Sequence, residues 1–207
     1  MTFVGTFLVD TNAYVRVARS ATCILGDHAG LELRLLPEIA NECGRSPRLK
    51  SISPWIGQHP HPQQRSNWTL SLSKPDVDQV REAKKEMRDA VSDTLDDFRQ
   101  RKKSRGDSRS VLSGPDNAVF YTAYALECGV VTDEGPLTLL CKEFEVPHYT
   151  TLELLRHLEL QSVLNRVQVE AMVKFWQYEK DTPKNWRKDY LRIFGPPLPE
   201  WEFDGAT

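Results

Sequence analysis

No two cysteines in this chain form a C-x-x-C pair, and none has a histidine nearby at ligand spacing: Cys23, Cys43, Cys128 and Cys141 lie scattered through 207 residues. That argues against a zinc site and against a disulfide framework, and leaves all four as reduced, mostly buried small apolar residues. Long apolar runs are missing too. No segment approaches the roughly 20 apolar residues of a membrane span, and no basic region followed by a long apolar stretch opens the chain, so the expected setting is cytoplasmic, away from membranes. An excess of one charge is also lacking. The net charge of -2 makes no overall case for nucleic-acid binding, although an average can conceal segregated patches. Internal repeats are absent.

What is present is ordinary in amount and uneven in arrangement. A hydrophobic fraction of 40% with 27% charged residues predicts a folded chain with one main domain rather than wholesale disorder. The apolar run over 5–9 has the length and β-branched content of a buried parallel strand, and it stops at Asp10, followed by Thr11 and Asn12. Strands of this kind carry their chemistry just past the carboxyl end. The arrangement recurs: Glu42 lies on a predicted helix after the apolar run 31–36, Asp116 opens a helix over 116–127, and Asp133-Glu134 follow 130–132. Against these acidic junctions stands one dense basic run, Arg99-Gln100-Arg101-Lys102-Lys103-Ser104-Arg105.

Taken in order, the chain predicts a helix over 13–19 capped by Asn12 or Thr11, turns over 25–30, a strand over 31–36, and a helix from Pro37 to about 43 capped by Gly44. Residues 45–74 turn to Ser, Pro, Gln and His, with Trp55 and Trp68 interspersed, and predict a long irregular insertion in which His59 and His61 are exposed imidazoles. Ser73 then caps an amphipathic helix whose apolar face carries Val77, Val80, Met87, Val91, Leu95 and Phe98 and which leads into the basic run. After the 116–127 helix come short strands near 130–132 and 146–149, a helix between them, and a capping box of Thr150 and Glu153 opening a helix over 152–160. A further helix over 162–180 and a Pro- and Trp-containing tail over 186–207 complete the chain. Alternating strands and helices predict an α/β fold with a parallel sheet.

If the acidic junctions converge on one sheet edge, their carboxylates repel one another, and a hard divalent cation is the natural neutraliser. The quoted stretches resemble the four acidic motifs of the PIN-domain nucleases, in the family's order: Phe7-Leu8-Val9-Asp10-Thr11-Asn12, Pro37 to Cys43 with Glu42, Pro115-Asp116 to Leu126, and Val130 to Leu137. The resemblance spans about 3–50 and 110–158. It implies a three-layer α/β/α fold and a ribonuclease that hydrolyses RNA phosphodiester bonds with Mg²⁺ or Mn²⁺. It also implies a PIN-like domain over 1–160 with an insertion at about 45–110, followed by a helix and tail over 161–207 packing on the domain or a partner. Asp10, Glu42 and Asp116 become metal ligands or water-orienting groups, and Thr11, Asn12 and Thr132 polar helpers. The fourth motif departs from the family's Thr-x-Asp, because Glu134 stands where the aspartate is expected. Either Glu134 reaches the metal or Asp133 substitutes, with Asp133 taken first because Asp-Glu-Gly at a turn can present either side chain.

The basic residues Arg99, Arg101, Lys102, Lys103 and Arg105 read either as an RNA-contacting arm or as a solvated helix end. Trp55 or Trp68 would stack on bases in the first case and be buried in the second. Partners implied are RNA, an antitoxin or other regulatory protein if the chain is a toxin-type member, and a second copy of itself. Two other readings compete: a non-catalytic PIN-like module that binds RNA or protein, and a haloacid-dehalogenase-like phosphatase with Asp10 as nucleophile. The second lacks its expected aspartate at position 12, which is Asn12.

Overall fold

The computed structural model describes residues 5–20, 25–28, 30–47, 68–103 and 112–198. Its centre is strand β1 (Gly5–Val9), whose last three residues are buried. β1 pairs in parallel with β3 (Leu31–Arg34) on one side and with β4 (Gly129–Val131) on the other, and β5 (His148–Tyr149) extends the sheet beyond β4, also in parallel. A short antiparallel strand, β2 (Gly26–His28), closes the far edge, giving the order β2-β3-β1-β4-β5. Register places Phe7 opposite Gly129. Only glycine fits there, because a Cβ on residue 129 would lie 2.2 Å from the Phe7 ring, which itself stacks on Tyr149 at 5.2 Å. This close approach lets β1 and β4 lie flush.

Among the described residues eight helices surround this mostly parallel sheet: α1 (Thr11–Ala18), α2 (Pro37–Arg45), α3 (Lys74–Lys103), α4 (Gly114–Ala125), α5 (Gly135–Glu143), α6 (Thr151–Leu160), α7 (Arg166–Tyr178) and α8 (Trp186–Phe194). The architecture is α/β and compatible with a three-layer α/β/α arrangement. None of these helices is long and apolar enough to cross a membrane. The 30-residue α3 begins at the expected Ser73 cap, whose hydroxyl donates to the Asp76 carboxylate at 2.7 Å, and buries Met87, Val91 and Leu95 on one stripe. Val77, expected on that stripe, is 40% exposed. Helices α7 and α8 add Val169, Met172, Trp176, Tyr190 and Phe194 to the same buried core as the sheet. The thiols of Cys43 and Cys141 are free and pushed up to about 12 by burial.

Four local expectations change. Helix α1 is capped by Asp10 rather than by Thr11 or Asn12, because the Asp10 carboxylate reaches the Ala13 N–H. Gly44 lies inside α2, which continues to Arg45. The segment expected to be only turns contains β2, a strand too short for any periodicity to announce it. The expected tail contains α8, in which Tyr190 and Phe194 stand four apart and pack at 4.6 Å. Trp68 is partly buried against the core and its carbonyl accepts from Leu35 N–H at 2.7 Å. Cys23, Trp55, His59, His61 and Arg105 lie outside the described residues.

Candidate site at the carboxyl edge of the sheet

From β1 the chain moves one way along the sheet to β3, then returns past β1 to reach β4. Such a reversal opens a crevice at the carboxyl ends of the two central strands. Asp10 follows β1 directly, and Thr132-Asp133-Glu134 follow β4. The Asp10 N–H donates to the Val131 carbonyl at 3.1 Å, so the two strand ends are tied together where the acidic residues begin.

Asp10 is fully buried. Its Oδ1 accepts from Ala13 N–H at 2.6 Å, whereas its buried Oδ2 makes no hydrogen bond of normal geometry. Burial raises the carboxyl pKa to about 7. The Thr132 hydroxyl and the Ala13 N–H hold it back in part, and the charges of Asp133 and Asp116 push it further up. Near neutral pH such a group is balanced between its two forms, and a cation beside it tips the balance towards ionisation.

Asp133 is committed elsewhere. Its Oδ2 pairs with Arg16 and accepts from the Thr151 hydroxyl, and its Oδ1 accepts from Thr151 N–H at 3.0 Å. Burial pushes its pKa up, while Arg16 and Thr151 pull it back. Arg16 is itself buried, and it reaches the chain after α7 through Asp181, whose carbonyl accepts from Nε at 2.9 Å and whose carboxylate lies 3.1 Å from Nη2. Glu134 is half-buried. Its N–H donates to the Thr132 hydroxyl at 3.0 Å, and its carboxylate accepts from the Asn12 amide at 2.6 Å.

Asp116 occupies the third position of α4, where its Oδ2 accepts from the Ser113 hydroxyl at 2.7 Å and from Ser113 N–H at 3.2 Å in a capping box. Glu42 is exposed on α2 and accepts from the Thr11 hydroxyl at 2.6 Å. Thus Thr11, Asn12 and Thr132 each hold, or are held by, one of the acidic residues. The end of α3 also reaches this edge, because the Phe98 ring lies 3.6 Å from a Cβ position on Gly135, the residue after Glu134. Arg99 pairs with Asp96 at 2.6 Å, and the exposed Arg101 donates to the Asp97 carbonyl. Lys102 and Lys103 complete the helix backbone.

The sequence reading missed Arg16 and Thr151. Arg16 looks like a solvated helix cation, and its partners are 117 and 165 residues away. No linear signal could have paired them. Among the described residues no three His, Cys, Asp or Glu side chains stand close enough to hold a metal ion as they are placed. Set against family models, curated proteins and solved structures, the chain matches none.

Proposed function

We propose that the chain is a PIN-like ribonuclease that uses Mg²⁺ or Mn²⁺ at the carboxyl edge of its sheet. The observation that supports this most is Asp10: a fully buried carboxylate at a topological switch point, with no hydrogen bond of normal geometry to Oδ2 and its pKa raised to about 7 beside Asp116 and Asp133. The donors are all hard oxygens, which suits these cations. Asp10, Glu42, Asp116 and Glu134 would hold the ion or orient its water, and a bound ion would supply alignment and activation of that water for attack on phosphorus. Asp133, weighed first in the fourth motif, is the anchor instead, because its oxygens are engaged by Arg16 and Thr151. Thr132 fixes the Glu134 backbone and Asn12 orients its side chain. Arg99 and Arg101, at the end of α3, supply contacts to RNA phosphates.

Glu134 in place of the expected aspartate, together with the long insertion, favours the non-catalytic module as second reading. A nucleophilic Asp10 fits less well, since a fully buried carboxylate is not presented to a phosphate ester. The test is incubation of the purified protein with structured and single-stranded RNAs in Mn²⁺, Mg²⁺ or chelator, alongside Asp10→Asn and Glu134→Gln. Metal-dependent products that vanish in both variants are expected. RNA binding without hydrolysis would transfer the assignment to the non-catalytic module.

A further inference from the structure

The opposite edge of the sheet carries a groove of about 630 Å³, between the amino-terminal half of α3 and the segments that lead into β4 and β5. One wall is aromatic: Tyr124, 41% exposed, stands 6.3 Å from Phe120 and 6.4 Å from Phe144 between ring centroids. Four carboxylates line the same groove, Glu82 and Glu86 from one face of α3, and Glu127 and Glu145 from the turns before the strands. No Lys, Arg or His is among the lining residues. Glu82 pairs with Lys85 at 3.2 Å, whereas Glu86, Glu127 and Glu145 have no ion-pair partner among the described residues.

Two of these glutamates sit in helix caps, in which Cys128 N–H donates to the Ala123 carbonyl at 2.9 Å and Val146 N–H to the Cys141 carbonyl at 2.8 Å. Glu127 and Glu145 lie just past the carboxyl ends of α4 and α5 with φ of 52° and 56°. Glycine or asparagine normally takes that left-handed position, and a negative charge there faces the negative end of the helix dipole. Ser162 and Lys180 take the same conformation just past α6 and α7, so this is how helices of the chain commonly end, and what sets the groove apart is its exposed ring and its charges.

We propose that this groove docks an extended cationic segment of a partner protein, with a Lys or Arg side chain over the Tyr124 ring and between the carboxylates. The ring face attracts a cation, and the charged side chains of the lining are all of the complementary sign, with only Glu82 already paired, to Lys85. Ala83, Ala125, Val146 and Pro147 offer apolar contact to the residues flanking that cation. The same charges repel nucleic acid. The groove is independent of the nuclease reading, since it lies at the amino ends of β4 and β5, whereas Asp10 and Glu134 follow the carboxyl ends of β1 and β4.

Fluorescence anisotropy with the full chain tests this, using a labelled peptide of alternating arginine and leucine, its glutamate-leucine counterpart, and spermine as competitor. The arginine peptide binds. Binding weakens at least about tenfold, or roughly 1.4 kcal/mol, in Tyr124→Ala and in the double variant Glu127→Gln/Glu145→Gln. It is retained in Tyr124→Phe, which keeps the ring, and in Glu134→Gln at the other edge. Equal binding by the glutamate peptide, no loss in the groove variants, loss in Glu134→Gln, or spermine binding as tightly as the peptide would each overturn the proposal.

Discussion

At the carboxyl edge of the sheet Asp10 is fully buried and Asp133 is enclosed by Arg16 and Thr151, while at the amino edge Glu86, Glu127 and Glu145 face an open groove without ion-pair partners among the described residues. Both edges concentrate negative charge, but the physics differs. Buried carboxylates lose hydration and must be supplied with backbone N–H groups, a guanidinium or a cation. Exposed ones stay hydrated, and their cost arises instead from backbone conformation and the helix dipole. The first edge therefore stores its strain in protonation and the second in local geometry.

Breaking the Arg16 pair should have the largest effect. Arg16→Ala leaves Asp133 buried with its charge uncompensated and is expected to cost about 3 to 5 kcal/mol in urea unfolding. Removing one of the exposed glutamates at the other edge should cost nothing comparable.

The protonation of Asp10 sharpens the comparison next. The folded protein holds the Asp10 proton up to about 7, while the unfolded chain releases it near the ordinary 3.8. Between these values the unfolded state binds fewer protons, so this contribution is complete below about pH 4 and is lost as pH rises through 7. Its size is about 4 kcal/mol. The difference in unfolding free energy between wild type and Asp10→Asn, followed from pH 4 to 8, should trace this loss. Mn²⁺ should reduce it in the wild type, and a flat difference across that range would remove Asp10 from the account.

Activity separates neighbouring residues within the carboxyl edge. Asp10→Asn and Glu134→Gln should each lower metal-dependent RNA cleavage more than the roughly 100-fold that loss of a residue behind a metal ligand costs. Asp133→Asn should instead lower the unfolding midpoint while its remaining folded fraction still cleaves. The reverse pattern would restore Asp133 as the metal-facing residue.

Smaller effects distinguish capping from chemistry. Ser113→Ala removes the α4 cap and should cost about 1 kcal/mol without abolishing cleavage, whereas Asp116→Asn should abolish it. Smallest of all, Glu127→Gly and Glu145→Gly should each stabilise the fold by up to about 1 kcal/mol in thermal unfolding, because glycine accepts the left-handed conformation without a Cβ. Destabilisation by either would show that these glutamates serve the fold rather than a partner.

The elements around the carboxyl edge were largely legible because their signals are local. β1 ending at Asp10, the caps at Ser73 and Thr150, and the amphipathic stripe of α3 depend on residues within a few positions of one another. β2 was not legible because three residues carry no period, and α8 was hidden by the proline- and tryptophan-rich composition around it. Asp10 was recognised as an acidic strand end, but its role as cap of α1 was assigned to its neighbours.

By itself the sequence determined where β1 stops, the caps at Ser73 and Thr150, and that carboxylates stand at the junctions, since each of these is decided by contacts between chain neighbours. Only the tertiary structure decided which carboxylates lose water, that Asp133 meets Arg16 across 117 residues, and that Glu127 and Glu145 come to line one groove with Tyr124. Burial and ion pairing depend on separation in space, and in a mostly parallel α/β sheet that separation is set by strand order rather than by position along the chain.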